Sequence, residues 1–315
     1  MECRVLGLFK KTLAGKGRVG VAFGAGHLAL AVLRRDGSQP VLDRCEILPL
    51  DSSAGADAAL TALRAAGIPR IPVSTVLSSE DYQLALVEAP EVPAAELRAA
   101  MRWRLKDSID FRIEDAVIDV FDVPDQNRGG HGRMMYAVAA RRSAVNSHAQ
   151  ALAGTPGFDA IDVPELCLRN LAALLPMASA GVALLHLGEA TASIVLVRGK
   201  TFYLARHVDL SAGNDKANAQ GHRRINAAGV VLELQRSLDY YERHFDQPPI
   251  TRIAVSPAGA RADELARELG RETGFEVSTL DLNALVSCTT PIDASAQASC
   301  LLAVGAALRE EHRSL

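Results

Sequence analysis

The first residues that could do chemistry are glycines. Gly24-Ala25-Gly26-His27-Leu28-Ala29 fits the G-x-G-x-x-A dinucleotide fingerprint, with Asp43 and Glu46 downstream where an acid would bind a ribose hydroxyl. That chemistry needs a helix directly after the glycines, so that its N-terminus meets the pyrophosphate. Here Leu28, Leu30 and Val32 alternate towards an Asp36-Gly37 turn, which is the pattern of a strand. Gly199-Lys200-Thr201 imitates the end of a phosphate-binding loop, but Ile194 stands where its leading glycine should be. His186 could act as a general base or metal ligand. No histidine or carboxylate stands at ligand spacing from it except the neighbouring Glu189, so a hydrogen-bonded histidine at a strand end is expected. Cys3, Cys45, Cys167, Cys288 and Cys300 include no C-x-x-C pair and read as buried small hydrophobes. G-x-S-x-G and H-E-x-x-H motifs are absent. No catalytic residue and no metal ligand is assigned.

The elements that must position these residues repeat. Residues 18–33 (RVGVAFGAGHLALAVL) and 181–197 (GVALLHLGEATASIVLV) each give a buried strand, a glycine turn and a second apolar strand, and each is followed by a third, at 40–50 and 201–210. Gly24 and Gly188 take matching places at the first turns. Helical stretches follow, including 55–66 and 230–245. Two such units predict a duplicated α/β chain with a cleft between lobes. Between them lie strands within 71–86 and a helix from Pro93 to Lys106 with Leu97, Met101 and Leu105 on one face. Strands at 116–123 and 133–140 flank a loop at 125–132, and helices follow at 143–153 and 162–175. This segment reads as a small α+β insertion in the first lobe. Trp103 lies off the helix's apolar stripe and is expected to pack between domains, with a partner groove as the alternative. After a loop at 214–221, the second lobe continues through a strand at 250–255, helix 263–269, strand 276–280 and helix 299–308.

Composition sets the outer limits. The 315 residues are 49% hydrophobic and 23% charged with a net charge of −3, which argues against disorder and against a nucleic-acid binder. No apolar run reaches the ~18 residues of a spanning helix. Residues 1–17 are not a signal peptide, because the basic pair Lys10-Lys11 follows the apolar part. They read as a flexible N-terminal segment. The alternative is a weak membrane-surface contact through Leu6, Leu8 and Phe9 with Lys10, Lys11 and Lys16.

Several blocks, taken in order, resemble the PilM-like family of type IV pilus assembly proteins. They are residues 18–33, 93–109 with Glu96, 136–142 (YAVAARR), 157–162 (GFDAID), 233–241 (ELQRSLDYY) and 303–309 (AVGAALR). The resemblance runs from about Val19 to Leu308. It implies an α/β chain with the duplicated actin-like (ribonuclease-H-like) ATPase fold. Residues 18–72 and 158–180 would form the first lobe, 73–157 the inserted α+β subdomain and 181–315 the second lobe. It also implies a cytoplasmic scaffold, peripheral to the inner membrane, that binds the short N-terminal segment of a PilN-like bitopic partner in a groove at the insertion. Through that partner it would reach the pilus platform and the assembly ATPase.

The same resemblance places a vestigial nucleotide cleft at Gly24, Gly26, Gly188, Gly259, Glu233 and Arg236, the last two on its ribose side. Departures from the family pattern bear on what that cleft can do. Actin-like ATPases end the first strand in Asp-x-Gly, repeat Asp-x-Gly at the second phosphate loop, and carry a glycine pair at the adenosine loop. Here these are Ala22-Phe23-Gly24, His186-Leu187-Gly188 and Pro257-Ala258, with Gly259 and Ala260 beyond. Phosphoryl transfer relies on Mg²⁺ to neutralise charge and on a positioned nucleophile. ATP with Mg²⁺ is the one cofactor the resemblance raises, and loss of both carboxylates argues against its hydrolysis. The alternative is an active ATPase or kinase in which Glu189 or Asp36 compensates. Nucleotide binding without turnover stays open.

Overall fold

The computed structural model describes residues 17–36, 39–50, 56–123, 133–188, 190–210 and 226–310. The N-terminal segment, Glu189 and the loops expected at 125–132 and 214–221 lie outside them. The chain opens with an antiparallel meander, β1 (Gly17–Gly24), β2 (His27–Asp36) and β3 (Gln39–Pro49). Helix α1 (Ala56–Ala65) and strand β4 (Val73–Val76), parallel to β1, come next. A small unit of β5 (Tyr82–Glu88), α2 (Leu97–Leu105), β6 (Ala116–Asp122) and β7 (Met134–Arg141) then branches off. Helix α3 (Arg142–Ala151) leads back to β8 (Phe158–Asp162), parallel to β4, and to α4 (Pro164–Ala172).

A second meander follows, β9 (Val182–Leu187), β10 (Thr191–Arg198) and β11 (Thr201–Asp209). Then come the long helix α5 (Ala227–His244), β12 (Arg252–Val255), α6 (Ala260–Thr273) and β13 (Glu276–Thr279). The chain returns through α7 (Leu282–Leu285), β14 (Ser287–Cys288) and α8 (Ala294–Ala307). Strand orders β3-β2-β1-β4-β8 and β11-β10-β9-β12-β13 are one order drawn twice, with β14 added beside β3. The repeat in the sequence is therefore a repeat of topology.

Period-2 alternation explains why the first sheet is covered on both faces. Val19, Val21, Leu28, Leu30 and Val32 pack on one side with Ala59 and Leu63 of α1. Ala22, Ala29, Ala31 and Leu33 belong to the larger core that contains α8. The residues facing α8 are small because the helix comes close. A Cβ at Gly20 would sit 1.8 Å from the Ala303 carbonyl oxygen, and one at Gly305 would sit 2.6 Å from that of Cys167. Helix α8 is buried on nearly all sides, touching β1 to β4 and α4, as its almost uninterrupted apolar sequence requires. It follows the second lobe in sequence yet packs on the first sheet.

Within the 73–157 span, β4 belongs to the main sheet and α3 packs on α1, so the separate three-stranded unit is β5-β7-β6. One face of that sheet packs under α2 through Ile118, Val120, Met135, Ala137, Met101 and Leu105. The other turns towards the body of the molecule through Leu84, Val117 and Val138. Trp103 is not a packing residue. It is 78% exposed, with Lys106 Nζ 5.9 Å from its ring. A helix was expected from residue 162, but β8 occupies 158–162 and α4 starts only at Pro164.

Candidate functional site

The turns expected to line a nucleotide cleft follow the carboxyl ends of β1, β9 and β12, the ends where open α/β sheets receive ligands. Gly24 and Gly26 flank a tight turn that returns directly into β2, so a strand and not a helix follows the glycines. Gly26 holds φ +71° and its carbonyl accepts from Leu50 N–H at 2.9 Å. The His27 ring lies over the turn, and a Cβ at Gly24 would meet it at 2.3 Å. The turn is thus filled by its own histidine. Asp43 and Glu46, the acids of the dinucleotide pattern, are engaged elsewhere, Asp43 with Arg34 and Thr289 and Glu46 with Arg44 at 2.8 Å.

At the second turn, Gly188 N–H donates to the Thr191 carbonyl at 2.9 Å, and its own carbonyl faces Arg261 Nη2 at 3.5 Å. Arg261 stands in the first turn of α6, whose N-cap is Gly259 at φ +57° and ψ −142°, a conformation that suits glycine. The structure therefore brings Gly188 and the Gly259 loop together. Sequence reading had passed over Arg261, which links them. Glu233 and Arg236 are paired with each other on α5 at 3.5 Å, and Glu233 lies 4.0 Å from Arg206. They form a surface ion cluster worth about 0–1 kcal/mol. Lys200, in the turn from β10 to β11, is bound to Glu310 at 2.6 Å.

The two positions at which the sequence resemblance expects carboxylates hold other groups. Ala22 is 7% exposed, paired with Ala29 on one side and Val76 on the other. His186 Nδ1 contacts Ser256 Oγ at 3.2 Å, and that hydroxyl also accepts from Leu187 N–H at 3.1 Å. Burial lowers His186 to about 4, against the opposing pull of the Glu165 charge, so the ring is neutral at pH 7. A methyl group and a neutral imidazole supply no anionic oxygen for Mg²⁺, which prefers oxygen donors. Asp36 ends β2 and Glu189 lies outside the described residues. Among the described residues no group of three His, Cys, Asp or Glu side chains is placed to hold a metal.

A carboxylate that sequence reading missed lies between the lobes. Glu165, in the first turn of α4, is fully buried. Tyr82 Oη of β5 donates to it, at 2.7 and 2.8 Å from its two oxygens, and His207 Nε2 of β11 lies 2.8 Å from Oε1. One carboxylate thus ties together the first lobe, the inserted sheet and the second lobe. The available signal was an acid on a helix face otherwise made of Leu168, Leu171 and Ala172, since buried charges occur where they are paired. A second link lies nearby. Ala205 N–H of β11 donates to Tyr136 Oη at 3.1 Å, and Phe202 meets Tyr136 and Phe121 edge-on at 5.1 and 5.6 Å.

No family model matches the chain, and no curated protein does. Solved structures do. A chain from a PilM–PilN type IV pilus biogenesis complex superposes with TM-score 0.68 at 22% identity, over 93% of this chain and 98% of that one. A Bacteroides thetaiotaomicron protein with actin-like ATPase fold and unknown function gives 0.53 at 10% identity, over 93% and 100%. The fold is actin-like. The β1–β2 and β9–β10 turns and the loop after β12 are the three places at which the sequence resemblance expects a nucleotide cleft. Among the described residues no helix is long and apolar enough to cross a membrane.

Proposed function

We propose that this chain is a type IV pilus assembly scaffold of the PilM kind, working on the cytoplasmic side of the inner membrane. It binds the short N-terminal segment of a PilN-like bitopic partner and through it reaches the platform and the assembly ATPase. The observation that carries this reading is the end-to-end match to the chain from the PilM–PilN complex. The narrower resemblance of the sequence is to MshI, the PilM-like biogenesis protein of mannose-sensitive haemagglutinin pili, and we take that system as the first to test. The cleft supports a scaffold over a hydrolase. Its two acid positions are Ala22 and the neutral His186, the His27 ring lies over its first turn, and the buried carboxylate of Glu165 is already paired.

The groove for the partner segment lies where the inserted sheet meets the first lobe. Leu84, Val138, Ile161 and Leu166, half-buried against the core at that junction, are the side chains we assign to it. Apolar side chains left half open beside a sheet suit a short extended segment with apolar anchors. The test is calorimetry of the full chain against a synthetic peptide of the platform partner's cytoplasmic N-terminus, with Leu84→Asp and Leu166→Asp alongside. Binding that weakens at least tenfold in folded variants supports the groove; unchanged affinity overturns it. A parallel titration with Mg-ATP and a phosphate-release assay decides the enzyme alternative. Metal-dependent binding with turnover would refute the scaffold-only reading.

A further inference from the structure

Three of the cysteines gather around one strand. Cys45 sits on β3, half-buried. Cys300 is fully buried on α8 where that helix crosses the first sheet, its Sγ 3.8 Å from the carbonyl oxygen of Glu46, the residue after Cys45. Cys45 packs against the same core that holds Cys300, and the two thiols are near enough to shift each other's titration. Cys288, on β14, is held beside β3 by its pairing with Leu42. Cys167 is elsewhere, packed against Gly305 on α4.

We propose that Cys45 and Cys300 are an oxidation-sensitive thiol pair that closes to a disulfide, clamping the C-terminal helix to the third strand of the first lobe. Placing the two thiols side by side in the folded state, on β3 and on the helix packed against it, shortens the search that normally slows such a bond, since attack requires only that one sulfur reach the other. The neighbouring Cys45 holds the Cys300 thiol below its ordinary range, while Cys300 and burial push Cys45 up. Cys300 is therefore the readier of the two to give up its proton and act as nucleophile, and Cys45 holds its proton more tightly. Hydrogen peroxide, small enough to pass the half-open Cys45, supplies the oxidant. The Cys300 sulfur attacks a peroxide oxygen, the O–O bond breaks, and the departing hydroxide takes up a proton as water. The resulting sulfenic acid is attacked by the Cys45 sulfur, the S–O bond breaks, and the expelled hydroxide takes the Cys45 proton. Two thiols and one peroxide give one disulfide and two waters.

The experiment uses the full chain, reduced and then treated with stoichiometric hydrogen peroxide. Free thiols are alkylated after unfolding, and the protein is read by intact mass and by non-reduced peptide mapping. The expected result is a fall of two in alkylated thiols, a peptide linking Cys45 to Cys300, and a thermal midpoint that rises and returns with dithiothreitol. Cys288→Ser should still form the link and Cys45→Ser should not. A link mapping to Cys288, or sulfinic acid without a cross-link, would overturn the proposal. Both readings on the unmodified sequence stand even if a serine variant folds poorly.

Discussion

Replacing His207 by alanine should loosen the molecule at one identifiable place. Glu165 is fully buried and its carboxylate has two partners, the Tyr82 hydroxyl and His207 Nε2 at 2.8 Å. Tyr82 has one proton to give, so its two short distances describe one shared donor. Without the imidazole, a buried carboxylate is left with half its donors. Breaking a buried pair by removing one partner costs about 3–5 kcal/mol. The His207 side chain is 38% exposed, so alanine opens a path for water to hydrate Oε1, and we expect about 2–3 kcal/mol instead.

Glu165→Gln should cost less, about 1 kcal/mol, because the amide oxygen can still accept from Tyr82 and no buried charge is left to pair. The double variant should then fall well short of the sum, since removing the charge removes the penalty for leaving it unpaired. Urea unfolding followed by circular dichroism measures the cycle, and hydrogen exchange should show faster opening in β11 than in β1. If His207→Ala costs under about 0.5 kcal/mol, or the two changes add within the usual ~0.5 kcal/mol of independent sites, Glu165 is not held as described.

Three further outcomes follow from single contacts. Gly20→Ala puts a methyl group 1.8 Å from the Ala303 carbonyl oxygen, so it should force α8 off β1 at a cost of about 3 kcal/mol or more, read as a fall in the urea midpoint. Tyr136→Phe leaves the buried Ala205 N–H without its acceptor; about 1–3 kcal/mol should be lost, together with faster exchange of that amide. His148, bound to Thr75 Oγ1 at 3.0 Å, is lowered by burial from 6.5 to about 4. The unfolded chain then takes up a proton that the folded chain resists, so stability is full above pH 6.5 and falls as pH drops towards 4, by on the order of 3 kcal/mol. His148→Gln should reduce that slope in denaturation curves measured across the window, leaving the share of His186, which burial lowers to the same value.

Much of the fold was legible because burial and alternation coincide in it. The two meanders show apolar residues at every second position with glycine at the turns, and both sheets stand where those runs predict. Strand β8 escaped because its buried positions are Ala160 and Asp162, and Asp162 is buried by pairing with Arg309 at 2.8 Å. An ion pair between residues so distant in sequence leaves no period to read. The same reason hid Glu165, whose partners Tyr82 and His207 come from two other parts of the chain. Trp103 failed in the opposite sense, since a large apolar side chain carries no mark of whether a neighbour will cover it. Of the cleft, the turns were legible and their partners were not. Gly188 follows from the repeat, whereas Arg261 against its carbonyl is a product of the fold.

The physical content of the scaffold reading lies in how the lobes are joined. A hydrolase of this fold would hold its charges at the mouth of the cleft, where metal and phosphate meet. Here the buried carboxylate Glu165 is engaged by Tyr82 and His207, and the neighbouring Tyr136–Ala205 bond and aromatic cluster link the inserted sheet to β11. The contacts of His207, Ala205 and Phe202 each join α4 or the inserted sheet to β11, an edge strand of the second lobe, and Tyr82 ties the inserted sheet to α4. In the scaffold reading, their combined effect is to hold the lobes together through contacts of the chain itself. That arrangement suits a protein that presents a fixed groove to a partner segment. It also predicts how the cycle at Glu165 and the peptide titration are coupled. His207→Ala should weaken partner binding through the displaced inserted sheet, while the double variant with Glu165→Gln should recover part of it. Equal affinity across all three would separate the groove from the interlobe latch and confine the role of Glu165 to stability.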